Sequence, residues 1–190
     1  MTYEFESFCS DCRDAYDKNT GKADLEIIRQ NLTKLLNENL EFVDKNCGQG
    51  REYGVHELFK DPQTGFIVYA HNFKKGRTSP PHDHGASWAV YGQARKFTDM
   101  TEYQRLDDKS KVGFAEIEET KKYRLDVGKV GKFGPHDIHQ IHFEDEASFV
   151  RVTGSDLFKE DTLTYNQEEN SVTVIGTISI ADNSRRAASS

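Results

Sequence analysis

From about Val55 onward the chain is a succession of short β-forming runs parted by turn signals, a rhythm that points to an antiparallel sandwich or barrel. The strongest run is Phe66-Ile67-Val68-Tyr69-Ala70-His71-Asn72-Phe73, rich in β-branched and aromatic residues and entered through the turn Asp61-Pro62-Gln63-Thr64-Gly65. Further strands are predicted over 87–91, 96–105, 114–119, 121–125, 138–143, 148–153, 163–165 and 172–180. The 45 or so residues ahead of them read as helical. Asp24 can cap a segment in which Leu25, Ile28, Leu32, Leu35 and Leu36 recur at helical spacing, until Gly48 and Gly50 break it. At 190 residues the chain suits one domain. The expected organisation is a helical segment over 1–48 packed on a β-barrel over 49–181, followed by a loosely held tail over 182–190.

One segment of this pattern carries chemistry. In Gly76-Arg77-Thr78-Ser79-Pro80-Pro81-His82-Asp83-His84-Gly85 two histidines stand at i and i+2. On a strand they would look the same way. Neutral imidazole binds zinc, iron, copper and nickel, and a third histidine from a distant strand would complete a three-nitrogen face with positions left open. His139 can supply it. Strand alternation turns His136 and His142 away from His139, which leaves them as bystanders or hydrogen-bonding neighbours of the ligands. His56 and His71 are open: His71, on a strong strand, could enter the pocket, against the reading of it as a hydrogen-bonded wall residue of the barrel.

Composition narrows the partners. Lys+Arg 25 against Asp+Glu 32 gives a net charge of −7, which repels phosphate backbones and anionic lipid. We therefore expect no nucleic-acid and no membrane partner. The start, Met1-Thr2-Tyr3-Glu4-Phe5-Glu6, lacks a basic and then apolar leader, so the protein is expected to be cytoplasmic. Cys9 and Cys12 form a CxxC pair without the second pair of a zinc ribbon or the βαβ setting of a thioredoxin site, so they read as free thiols on an N-terminal helix, as does Cys47.

Gly76-x5-His82-x-His84 resembles the opening of the first cupin motif. Gly128-Lys129-Val130-Gly131-Lys132-Phe133-Gly134-Pro135-His136-Asp137-Ile138-His139 resembles the second, with Gly134 where that motif usually has proline and His136 where it has glycine. The local wording is similar to the bacterial thiol dioxygenases, the cysteine and 3-mercaptopropionate dioxygenase group, which carry a His-Asp-His-Gly followed by a Trp and later an Asp-Ile-His. The likeness runs from about Tyr53 to Leu157. It implies a mainly β, single-domain cupin, a double-stranded β-helix or jelly-roll barrel, with His82, His84 and His139 holding Fe(II). The glutamate usual a few residues after HxH is replaced by Trp88 and Ala89. Three neutral imidazoles leave the ion its full charge and three open positions, a set suited to a chelating substrate and O2. Zinc, nickel, manganese or copper would also fit histidines alone.

The chain departs from that group in three places. Aligned on Tyr53, the substrate-binding arginine of the family is replaced by Gly54-Val55-His56. The cysteine of the animal enzymes' cysteine–tyrosine crosslink falls at about Ala89. The Ser–His–Tyr set falls on Ser148-Phe149-Val150-Arg151-Val152-Thr153, with Arg151 and Thr153 where the His and Tyr would be. Cysteine as substrate is thereby put in question.

Arg151 admits two readings. Facing inward, it would hold a substrate carboxylate beside the ion. Facing outward, it would leave Val150 and Val152 to the core. Arg77 at the barrel mouth and Tyr91 are further candidates for orienting the substrate, and Trp88, Tyr91, Tyr103 and Phe143 are candidate aromatic walls. The resulting expectation is an Fe(II)-dependent dioxygenase that takes a small thiol or carboxylate and O2. The alternatives are a zinc, nickel or manganese cupin doing isomerase, lyase or hydrolase chemistry, and a non-enzymatic binder. Edge strands and the N-terminal helix could support a homodimer. Metal occupancy is expected to fall as pH drops through about 6.5, the ordinary imidazole value.

Overall fold

The structure, a computed structural model, describes residues 2–175. The expected strand over 172–180 extends beyond them, and the expected tail over 182–190 lies wholly outside them. Three helices come first: α1 (Phe5–Asp14), α2 (Leu25–Glu38) and α3 (Leu40–Cys47). Asp24 does cap α2, accepting the backbone N–H of Glu26 at 2.9 Å and of Ile27 at 3.2 Å. Asn39 interrupts the apolar run that the spacing prolongs to Val43, and caps α3 by accepting the Phe42 N–H at 2.9 Å.

The strands are β1 (Gly54–Lys60), β2 (Ile67–Asn72), β3 (Arg77–Thr78), β4 (Ala89–Arg95), β5 (Thr98–Arg105), β6 (Ile117–Leu125), β7 (Val130–Phe133), β8 (Ile138–Phe143), β9 (Ser148–Thr153), β10 (Thr162–Asn166) and β11 (Ser171–Ile175). They form a five-stranded antiparallel sheet, β1-β2-β9-β4-β7, facing a four-stranded one, β3-β8-β5-β6, with β10 and β11 as a separate hairpin. This is an antiparallel jelly-roll barrel, mainly β with an N-terminal helical layer. The strands expected over 114–119 and 121–125 are one strand, β6. Thr120 is an extra residue opposite the Glu102–Tyr103 step, and its hydroxyl donates to the Glu102 carbonyl at 3.1 Å, so the break in the pattern is a β-bulge. The short β7 went unpredicted because Gly131 interrupts its run of β-formers.

The five-stranded sheet is buried on both faces, which decides where its side chains point. Val68, Ala70, Val90, Val150 and Val152 pack outward against Ile28, Leu32, Leu35 and Leu36 of the helices. Their alternating neighbours Ala89, Tyr91 and Phe149 pack inward with Met100, Phe133, Ile141 and Phe143 of the barrel. Trp88, expected as a pocket wall, lies in the outer cluster, 6.4 Å from the Tyr16 ring. Tyr103, also expected there, packs instead against Ala115, Ile117, Ile138 and Tyr165. Cys9, Cys12 and Cys47 are free and buried under the helices. Burial pushes the Cys9 and Cys47 thiols up to about 12 and raises Cys12 as well, which makes all three inert structural thiols. Among the described residues no helix is long and apolar enough to cross a membrane.

Candidate metal centre

His82 and His84 sit between β3 and β4 in an extended segment rather than a regular strand. Cross-chain hydrogen bonds straighten it. His82 and His139 exchange both backbone bonds, N–H to carbonyl at 2.9 Å each way. On the other side Asp83 donates to the Leu163 carbonyl at 3.0 Å and Tyr165 to the Pro81 carbonyl at 2.9 Å. The segment is therefore threaded between β8 and β10. Asp83, 1% exposed, locks it there: Oδ2 accepts the Tyr165 hydroxyl at 2.8 Å, and Oδ1 accepts the Gly85 and Leu163 N–H groups at 2.9 and 3.2 Å. Sequence reading passed over Asp83 as the spacer of the HxH. Its signal was a carboxylate set between two candidate ligands.

The motif glycines have physical reasons too. A Cβ on Gly76 would stand 2.5 Å from the Phe143 carbonyl oxygen, so only glycine lets β3 approach β8 this closely. Gly128 adopts φ +80° in the turn before β7, where a Cβ would also strike Asn37.

The three imidazoles meet. Ring centroids are 4.6 Å apart for His82–His139, 4.9 Å for His84–His139 and 5.2 Å for His82–His84, and one donor nitrogen from each lies within 4.8 Å of the others. Among the described residues no other group of three metal-ligating side chains comes together. The tautomers suit a metal. The Nδ1–H of His82 donates to the Pro80 carbonyl at 2.9 Å and that of His139 to the Asp137 carbonyl at 3.3 Å, which leaves their Nε2 atoms as bases. His139 Nε2 is buried with no partner, an acceptor that an ion would satisfy. The Tyr91 hydroxyl and His84 Nε2 are hydrogen-bonded at 3.0 Å. A histidine-only donor set of this kind fits a divalent transition metal.

Burial depresses the basicity of all three rings. It holds His84 and His139 well below the ordinary imidazole value, helped by repulsion from the neighbouring imidazoles, and it lowers His82 against a raising hydrogen bond to Pro80. Protons therefore compete for these nitrogens only below the window around pH 6.5 expected from sequence.

Arg151, Arg77 and His71 join the site. All three line a cavity of about 310 Å³ together with His82, His84 and Thr164. Arg151 faces inward because the valines beside it pack outward against the helices, so the inward reading of Arg151 holds and the outward one does not: Val150 and Val152 are core residues, but of the layer between sheet and helices. Its guanidinium lies 5.6 Å from the Tyr69 ring centre and 5.9 Å from that of Tyr91. Arg77 lies over Phe73 at 5.4 Å and Phe143 at 5.8 Å. His71 is 4% exposed and stacks on Phe149 at 4.7 Å, but its Nε2 has no partner, so it is not a satisfied wall histidine. His56 stays apart from the cluster, its Nε2 bonded to the Glu52 carbonyl at 2.9 Å. Phe133 stacks on His139 at 3.9 Å, closing that ring from water.

His142 and His136 are exposed, as alternation predicted. His136 holds the left-handed φ of 62° at the position where glycine is usual, donating its N–H to the Gly85 carbonyl at 2.9 Å. His136→Gly is accordingly expected to stabilise the protein by about 1 kcal/mol, the usual cost of that conformation for a residue with a Cβ. Chemical denaturation would show it as a higher midpoint at unchanged slope.

No family model and no curated protein matches the sequence. Among solved structures the chain is similar to the cupin domain of Schizosaccharomyces pombe Cnp3, at 10% identity over 54% of this chain and 60% of that one, TM-score 0.40. It is similar to oxalate oxidase in complex with the substrate analogue glycolate, at 19% identity over 58% and 54%, TM-score 0.40. Hydroquinone 1,2-dioxygenase PnpCD in complex with Cd2+ and 4-hydroxybenzonitrile is similar at 8% identity over 58% and 69%, TM-score 0.43. The chain thus spans little more than half the length of the first two. Likeness at this level concerns the fold alone.

Proposed function

We propose that this protein is a metal-dependent oxidoreductase, a non-haem Fe(II) dioxygenase that uses O2 on a small thiol or carboxylate. The observation that carries the reading is the buried cluster of His82, His84 and His139, with ring hydrogen bonds that leave Nε2 free on His82 and His139. When bound, the ion would supply a Lewis acid and a one-electron donor with positions open to substrate and oxygen.

The rest of the work falls to the chain. The Pro80 and Asp137 carbonyls fix two of the ring tautomers. The Tyr91 hydroxyl, 3.0 Å from His84 Nε2, would be released from that contact if His84 took up the ion and is placed to hydrogen-bond a group bound alongside. Arg151 and Arg77 supply positive charge to orient an anionic substrate, and Phe73 and Phe158 supply apolar wall. The same three donors would also hold zinc, nickel or manganese; the affinity order for divalent metals places nickel and zinc above Fe(II) and manganese below it.

The test is anaerobic loading with Fe(II), then measurement of O2 uptake across a panel of small thiols and carboxylates. Uptake that needs iron, depends on the added compound and disappears in His82→Ala is the expected result. Stoichiometric zinc, nickel or manganese in protein purified without added metal, combined with no uptake from iron-loaded protein across the panel, would assign the site to non-oxidative chemistry instead.

A further inference from the structure

Buried polar atoms in folded proteins are nearly always paired, yet among the described residues seven are not, and four of the seven lie in or beside one cavity. Among the described residues His71 Nε2, Arg151 Nε and Thr164 Oγ1 are all buried without a hydrogen-bond partner, and all three residues line the same cavity. His139 Nε2, a fourth such atom, belongs to the ring beside His82 and His84. The metal reading accounts for His139. It does not account for His71 or Arg151, which lie outside the ligand cluster.

The sheet register brings these two together. In the β2-β9-β4 ladder Tyr69, Arg151 and Tyr91 form one row, while His71 stands opposite Phe149 in the next row on the same face. His71 and Arg151 are therefore diagonal neighbours, whose backbones lie about 7–8 Å apart in such a ladder. Each head group is held by rings: the guanidinium between Tyr69 and Tyr91, the imidazole between Phe149 at 4.7 Å and Phe73 at 5.9 Å. A guanidinium without an acidic partner in a partly apolar cavity is a costly arrangement unless an anion enters.

We infer that Arg151 and His71 form the binding site for the carboxylate of a small organic acid, with Arg151 Nε–H and His71 Nε2–H each donating to one carboxylate oxygen. The planar fork of arginine matches a carboxylate, and a cavity of about 310 Å³ admits only a small molecule behind it. Thr164, the bridge partner of His82, is placed to meet a second polar group of the same molecule on the metal side. This assigns the carboxylate, not the thiol, as the group the pocket recognises. It rests on the proposed function only in taking this cavity as the substrate site.

The test uses the full chain, both metal-free and loaded with redox-inert zinc, titrated calorimetrically with propionate, with propionamide as its neutral counterpart and with methylphosphonate. Propionate is expected to bind about tenfold or more tightly than propionamide in both forms, the usual value of a charge-assisted hydrogen bond. Arg151→Gln is expected to erase that preference and Arg151→Lys to restore part of it. His71→Phe, which keeps the ring stack, is expected to weaken propionate by about tenfold, with zinc stoichiometry unchanged in all three variants. Equal binding of propionate and propionamide by the wild type, or an undiminished preference in Arg151→Gln, overturns the inference, as does methylphosphonate binding more tightly than propionate. Loss of zinc binding with the propionate preference intact would instead sink the metal reading and leave this one standing.

Discussion

Replacing His139 with alanine is expected to abolish specific metal binding, and with it the thermal stabilisation that metal gives the native protein. A ligand that binds only the folded state at a thousand times its dissociation constant adds about 4 kcal/mol. For a chain of this size that corresponds to a rise of roughly 8–16 °C in Tm. His139 should account for nearly all of it because His82 and His84 alone cannot enclose the ion, and among the described residues no carboxylate or thiol joins their cluster. The metal-free protein should lose stability as well. The His139 ring is fully buried against Phe133 at 3.9 Å, so truncation opens a cavity costing about 2–4 kcal/mol. The two effects separate in differential scanning fluorimetry with and without zinc: a lower metal-free Tm, and no further shift on adding metal. A variant that still gains the wild-type increment from zinc would show that the ion is held elsewhere.

Metal-free protein is expected to lose stability steeply between pH 6.5 and pH 5, before its carboxylates titrate. His71, His84 and His139 are held well below the ordinary imidazole value and His82 is lowered, burial being the largest cause for each. A folded-state value below the unfolded one means that the unfolded chain takes up the proton first. The contribution of a neutral buried ring is therefore complete above about pH 6.5 and declines as pH falls below it. Each ring adds a slope of up to about 1.4 kcal/mol per pH unit, so four titrating together reach at most about 5.6. Against a total stability of about 5–15 kcal/mol, that is a large fraction of what holds the chain folded.

Urea titrations at half-unit pH steps would measure the slope, and His71→Phe should reduce it by one proton while leaving the cluster intact. Bound metal should flatten the curve, because three of the four rings are then occupied. A stability that stays level from pH 7.5 to 5 would mean that the rings are not desolvated as the structure has them.

Much of the architecture was legible because it follows from local pattern. The capping carboxylate of Asp24, the apolar period of α2 and the run of β-formers in β2 each name their own element. His82, His84 and His139 could be paired from their spacing and from the glycines before them. The reason first attached to that pairing was incomplete, since His82 and His84 lie on an extended segment held by β8 and β10 rather than on a strand of their own. Trp88 and Tyr103 were misplaced because an aromatic residue in a β-run fits either face of a sheet.

The sequence alone determined an antiparallel β-domain behind an N-terminal helical segment, with three histidines as its chemical centre, because periodicity and ligand type are written residue by residue. Only the tertiary structure decided which way Arg151 and His71 point. Alternation states that neighbours on a strand face opposite sides, but not which side is the cavity. Here the helices bury the outer face of the sheet as thoroughly as the barrel buries the inner one, so hydrophobicity could not tell the two apart. Valines took the helix side, and the polar groups between them were left facing the metal pocket.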